Sequence, residues 1–204
     1  MKNKRGFTLI ELLAVIIIMG VLMWTAIASY TRIIENSRRD TFATNAKNYI
    51  NTVRTSVLAD EITCYAANGE GTGSSYAALG NGTYIFYLAT DKSAIGDTNV
   101  FEKIPNDTIV TNTNDLMESG GKSSWGNNNV WGYVIWNKTA NGSSIKTTYS
   151  IFLRDTAGHG LTAETEEEKI SRTNVSATAS VVTAGAQTRS VVFDTTINYV
   201  CKLS

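Results

Sequence analysis

Between Phe7 and Ala28 the chain carries a single ionisable side chain, Glu11, within an otherwise apolar or small-residue run. About 20 such residues suffice for a helix to cross the hydrocarbon core of a bilayer. Lys2, Lys4 and Arg5 stand directly before the run. Basic residues flanking a span stay on the cytoplasmic side, which sends everything after Ala28 outward. The chain therefore reads as one membrane span carrying an exported C-terminal body.

Glu11 sets this span apart from a plain anchor. A carboxylate well inside a membrane helix costs roughly 2.5–3.5 kcal/mol on insertion scales, so such a group normally has a partner. Snorkelling near the start of the span lowers that cost without accounting for the acid. A cut between Gly6 and Phe7 would create an α-amino group one helical turn before Glu11. A neighbouring copy, shifted along the axis, could then set its ammonium against this carboxylate.

The run Lys4-Arg5-Gly6-Phe7-Thr8-Leu9-Ile10-Glu11, followed by an apolar helix, resembles the class III signal of type IV pilins and type II secretion pseudopilins. The resemblance covers about the first 30 residues. It implies cleavage after Gly6 by a prepilin peptidase and N-methylation of Phe7 by the same enzyme. It also implies that Glu11 registers each incoming subunit against the N-terminus of its neighbour. Assembly would take place on an inner-membrane platform, into a helical filament of this chain and related pilins. The subunit would wait as a single-pass inner-membrane protein, N-terminus inside, and end in an extracellular pilus or at the cell surface. Two other readings of the N-terminus compete. A secretory signal peptide could be cut after Ala26-Ile27-Ala28, yet the apolar run exceeds the usual 7–15 residues and contains an acid. A simple anchor leaves Glu11 without a purpose.

After Ala28 the helical pattern continues in amphipathic form. Tyr30, Ile33, Ile34, Phe42, Ala46, Tyr49, Val53 and Val57 make an apolar stripe. Arg32, Glu35, Arg38, Arg39, Lys47 and Arg54 occupy much of the remaining surface. With no proline before Asp60, one helix is expected from about Phe7 to about Ala59, roughly 80 Å long at 1.5 Å per residue. Many pilins carry a proline late in this stretch, whereas here the only proline is Pro105. Gly20 would cost about 1 kcal/mol in an ordinary helix. In a membrane helix it favours close packing, the reading preferred here to local unwinding.

Beyond Glu61 the chain turns rich in Gly, Ser, Thr and Asn. Strands are expected at Thr83–Thr90, Val130–Trp136, Ile145–Leu153, Asn174–Thr183 and Arg189–Cys201, with a short helix at Asn114–Gly120. Asn141-Gly142 marks a hairpin. Ile145, Thr147, Tyr149, Ile151 and Leu153 would then face the helix stripe. The expected fold is α+β and pilin-like: one long N-terminal helix, half transmembrane and half amphipathic, packed on a C-terminal antiparallel sheet. Four segments follow: leader 1–6, spanning or filament-core helix 7–28, amphipathic helix 29–60 and β-rich head 61–204.

The even cysteine pair, Cys64 and Cys201, in an exported body is a disulfide candidate, with two buried thiols as the alternative. Loss of Lys2, Lys4 and Arg5 with the leader leaves 15 basic against 18 acidic residues. A mildly acidic body argues against direct nucleic-acid binding. His159, between two glycines, reads as a turn and not as a catalytic base. Glu164–Glu168 lacks the alternating ligand spacing of a Ca²⁺ loop and reads as a solvated turn. Trp125, Trp131 and Trp136 read as core or inter-subunit packing. The chain is expected to be a structural assembly subunit without cofactor, metal or catalytic residues. The alternatives are a pseudopilin of a secretion or DNA-uptake machine and an anchored surface-binding protein.

Overall fold

A stretch without proline, bounded by a capping residue at each end, should form one helix, and α1 spans Leu9–Leu58. Its C-terminus closes as a Schellman motif. Glu61 N–H reaches Ser56 C=O at 2.9 Å, and Asp60 N–H reaches Val57 C=O at 3.3 Å. Asp60 takes the left-handed conformation this requires, at φ 58°. The structure, a computed structural model, describes residues 8–66, 80–89, 111–112, 116–117, 121–178 and 197–203. It separates into two compact units, Met1–Ser37 and Arg38–Ser204.

In the second unit α1 buries one stripe: Phe42, Ala43, Ala46, Tyr49, Ile50, Val53 and Val57. The stripe expected from the sequence is therefore correct from Phe42 onward and fails before it. Tyr30 and Ile33 are 64% and 65% exposed. Amphipathic spacing reveals which face is apolar, but not whether a sheet lies opposite it.

The sheet comprises β1 (Ile62–Ala66), β2 (Gly82–Ala89), β3 (Thr111–Asn112), β4 (Val130–Asn141), β5 (Ser144–Asp155), β6 (Gly160–Leu161), β7 (Thr165–Glu166), β8 (Val175–Ser176) and β9 (Tyr199–Leu203). Its order is β1-β9-β2-β4-β5-β6-β8, with β3 beside β2 and β7 beside β5. The pairings are mostly antiparallel, while β2 runs parallel to both β3 and β9. β9 arrives from the far end of the chain, so no hairpin constrains its direction. Of the strand expected at Arg189–Cys201, only the part from 197 is described. Of Asn174–Thr183, the structure describes residues through 178 and forms a strand at Val175–Ser176. Of the short helix expected at Asn114–Gly120 only Leu116, helical and buried, and Met117 are described.

Strand alternation gives the sheet two apolar faces. Tyr84, Phe86, Leu88, Val134, Trp136, Ile151 and Leu153 pack with the α1 stripe. Ile85, Tyr87, Trp131, Tyr133, Ile135, Phe152 and Val200 form a second cluster on the alternate positions. β2 accordingly reads as a nearly continuous apolar run, the pattern of a strand covered on both sides. Trp131 and Trp136 fill these two clusters, as the packing expectation has it.

On the helix side, register brings four rings into a row. Tyr199 stacks on Tyr84 at 4.9 Å, Tyr84 on Trp136 at 4.6 Å and Trp136 on Tyr149 at 6.5 Å. Arg54 of α1 closes the row 4.5 Å above Tyr149 and pairs with Glu167. Cross-strand aromatic pairs of this kind contribute roughly 0.5–1.5 kcal/mol each beyond their area.

Gly132 lies where β4 and β5 approach most closely. A Cβ there would come within 2.0 Å of Phe152 C=O, so only glycine fits. The hairpin turn centres on Gly142-Ser143, one residue later than an Asn141-Gly142 centre would place it. Asn141 pairs with Ser144, and Gly142 takes φ 59° at the first central position, as a type II′ turn requires.

Burial of Tyr49 carries a pH consequence. Its hydroxyl is pushed up to about 12 by desolvation. A raised folded-state value means the stabilisation is complete below the ordinary value near 10 and is lost as pH climbs through 12. The urea midpoint of the wild type should therefore fall between about pH 10 and 12 more steeply than that of Tyr49→Phe. Parallel pH profiles would exclude Tyr49 as the source.

Candidate assembly site at the helix N-terminus

Helix N-termini leave backbone N–H groups without intrahelical partners, and the sequence answers with Thr8-Leu9-Ile10-Glu11. The Glu11 carboxylate reaches back to accept from Thr8 N–H at 2.9 Å and from Thr8 Oγ1 at 2.8 Å. Glu11 N–H donates to Thr8 Oγ1 at 3.4 Å. This is a reciprocal capping box, and the negative group sits where the helix dipole favours it. Sequence reasoning singled out Glu11 and missed Thr8, although the Thr-x-x-Glu spacing ahead of an apolar run is its known signature.

The capped terminus opens onto an apolar helix with no cover. Leu9, Ile10, Leu12, Ile16, Ile18, Leu22, Met23 and Trp24 are all more than half exposed. Exposed apolar area of this extent marks a surface made for lipid or for other proteins. Among the described residues α1 is the one helix long and apolar enough to cross a membrane, and none of its apolar window is buried. Gly20 has open space around its absent Cβ within the protomer, so any close packing it permits involves another molecule. The scissile pair Gly6 and Phe7 lies outside the described residues.

The sites expected in the body resolve into structure. Cys64 and Cys201 stand directly opposite in β1 and β9, with Cα atoms 4.1 Å apart, and form a disulfide. His159 sits in the turn after β5, where Asp155 accepts from its backbone N–H at 2.9 Å. Its Nδ1 lies 3.0 Å from Asp155 Oδ2, and its ring stacks on Trp125 at 5.1 Å. Ser123 donates to the same carboxylate, which is fully buried. A carboxylate between two donors of a turn holds that turn closed.

The acidic run is similarly engaged. Glu164 accepts from Ser150 at 2.7 Å and Tyr133 at 3.2 Å, Glu166 pairs with Lys169, and Glu167 pairs with Arg54. The hydrogen bond and charge of Glu166 hold the Lys169 ammonium pKa above its ordinary range. Among the described residues no three His, Cys, Asp or Glu side chains gather as a metal site.

Residues 1–27 match the family model for the prokaryotic N-terminal methylation motif. Neither the search of curated proteins nor that of solved structures found a match. The matched segment contains the basic start, Gly6-Phe7 and the Thr8–Glu11 box and runs into the bare apolar helix. Residues 1–27 are the class III signal of the type IV pilin and pseudopilin family, and the chain is a protein of that pilin-like kind, with a long N-terminal helix on an antiparallel-dominated sheet.

Proposed function

We propose that this chain is a structural subunit of a type IV pilus-like filament. The observation that carries the reading is the pairing of the N-terminal methylation motif with an entirely uncovered apolar helix behind it. Prepilin peptidase cuts after Gly6 and methylates Phe7, removing Lys2, Lys4 and Arg5. Segment 7–28, freed of its cytoplasmic charges, leaves the membrane and packs with copies of itself, while the body (61–204) stays outside. The new ammonium of one copy meets Glu11 of another at equal depth, which sets the axial step. Head-to-tail contact between unlike surfaces yields an open helical polymer instead of a closed ring.

The exposed helix would serve equally in a pseudopilus of a secretion machine. Long surface filaments containing this chain distinguish the pilus, and their absence in assembly-competent cells favours the pseudopilus. Processing itself is checked by Edman sequencing and intact mass of the membrane-derived protein. The expected mature N-terminus is a monomethylated Phe7. A mature chain beginning after Ala28, or one retaining Met1, sinks both versions and leaves the anchored surface protein.

A further inference from the structure

The β4–β5 hairpin runs past the rest of the sheet. Its pairing continues to Asn141 and Ser144, and every residue from Asn141 to Thr148 is exposed. On the other side of β5, β7 reaches only as far as Ser150 and β6 pairs at Arg154. Ser144–Thr148 therefore pair with β4 alone among the described residues. This corrects the expectation that Ile145 and Thr147 face the helix, since Ile145 is 60% exposed and the packed face begins at Tyr149. A two-stranded ribbon is marginal in water by itself. An open edge beside an exposed isoleucine is also a template for pairing with another chain.

Charge indicates what the ribbon meets. Residues 137–148 contain Lys138 and Lys146 and no acid. At the end of β7, Glu166 and Glu168 are exposed, and Glu166 is held only by a surface pair with Lys169. Such pairs contribute about 0–1 kcal/mol and exchange readily. Within one copy Glu166 stands opposite Ser150, four residues from Lys146, or roughly 13 Å along the strand. That separation exceeds a lysine–carboxylate contact, so the complementary charges can meet only between copies.

We propose that the free β5 edge and Lys146 of one subunit dock on the Glu166–Glu168 turn of a second copy of this chain. The two surfaces differ, so the contact is heterologous and can propagate, and it rests on the filament reading above. It ties the bodies together outside the helix core and stiffens a ribbon that is unsupported in the single subunit.

The experiment is zero-length carbodiimide coupling of filaments grown from mixed ¹⁴N- and ¹⁵N-labelled subunits. The expected product is a Lys146–Glu166 or Lys146–Glu168 peptide joining the two labels. Coupling of Lys146 only within a copy, only to another protein, or not at all overturns the proposal. Independently, Lys146→Glu should lower filament yield about tenfold through like-charge contact, and adding Glu166→Lys with Glu168→Lys should restore it. The disulfide and far-UV spectrum report that each variant is folded. Normal filaments from folded Lys146→Glu overturn the docking surface alone. Absence of any filament from correctly processed wild type overturns the filament reading as well.

Discussion

Glu11→Ala subunits should be cut and methylated normally, remain in the membrane and yield almost no filament. Membrane residence improves, because a carboxylate costing roughly 2.5–3.5 kcal/mol in the span is gone. Assembly suffers because an ammonium brought into the filament core then has no counter-charge. Removing one partner of a buried pair costs about 3–5 kcal/mol, which is more than a hundredfold in an equilibrium. The capping box complicates a simple deletion, since Glu11 also closes the first turn with Thr8. Cap loss is worth only about 1 kcal/mol, too little for an assembly defect of this size.

Glu11→Gln separates the two roles. Glutamine at this position can still bond back to Thr8 N–H, so the turn stays closed while the charge disappears. Filament yield from Glu11→Gln should match that of Glu11→Ala, with Thr8→Ala much less affected. Wild-type yield from Glu11→Gln would mean that Glu11 serves as a cap and not as a registration charge. Quantifying the subunit in sheared filaments against the processed membrane pool gives the measurement.

Replacing both Cys64 and Cys201 by alanine should remove most of the body's stability. The bridge joins positions 137 residues apart in sequence. On the chain-entropy model, closing a loop of that length restricts the unfolded state by about 5 kcal/mol. Domains of ordinary stability have about 5–15 kcal/mol in all. Both cysteines are buried, so reductant should reach them only as the body opens. The local effect is specific as well. β1 follows directly on α1, and its pairing partner is β9, the last strand of the chain. Without the bridge the β1–β9 ribbon has only its ladder and side-chain packing to hold it. The urea midpoint of the exported body, measured with the pair intact and with it replaced, tests this. Equal midpoints would show that strand pairing alone carries β1 and β9.

The legible parts of this fold were those written in local periodicity. The absence of proline before Asp60 foretold α1 to within two residues at its start and one at its end. Thr83–Thr90 and the Val130–Leu153 hairpin region were readable as apolar runs around turn residues, and they became β2, β4 and β5. The strands β6, β7 and β8 have two residues each, too short to leave a periodic signal, and they exist because longer neighbours offer an edge. The turn centre slipped by one because glycine also suits the first central position of a type II′ turn. Thr8 was missed although its spacing to Glu11 is a local signature.

By itself the amino-acid sequence determined the long helix, its uncovered apolar half and the lone acid near the start of that half. Each depends on composition within one or two helical turns, so no distant contact is needed to read it. Tertiary structure alone decided which part of the amphipathic stripe is buried, which faces of the sheet are filled and where β5 leaves its edge open. Those depend on which strand lies beside which. Registers such as Cys64 with Cys201 or Ser150 with Glu166 join residues far apart or across turns, and local spacing does not encode them.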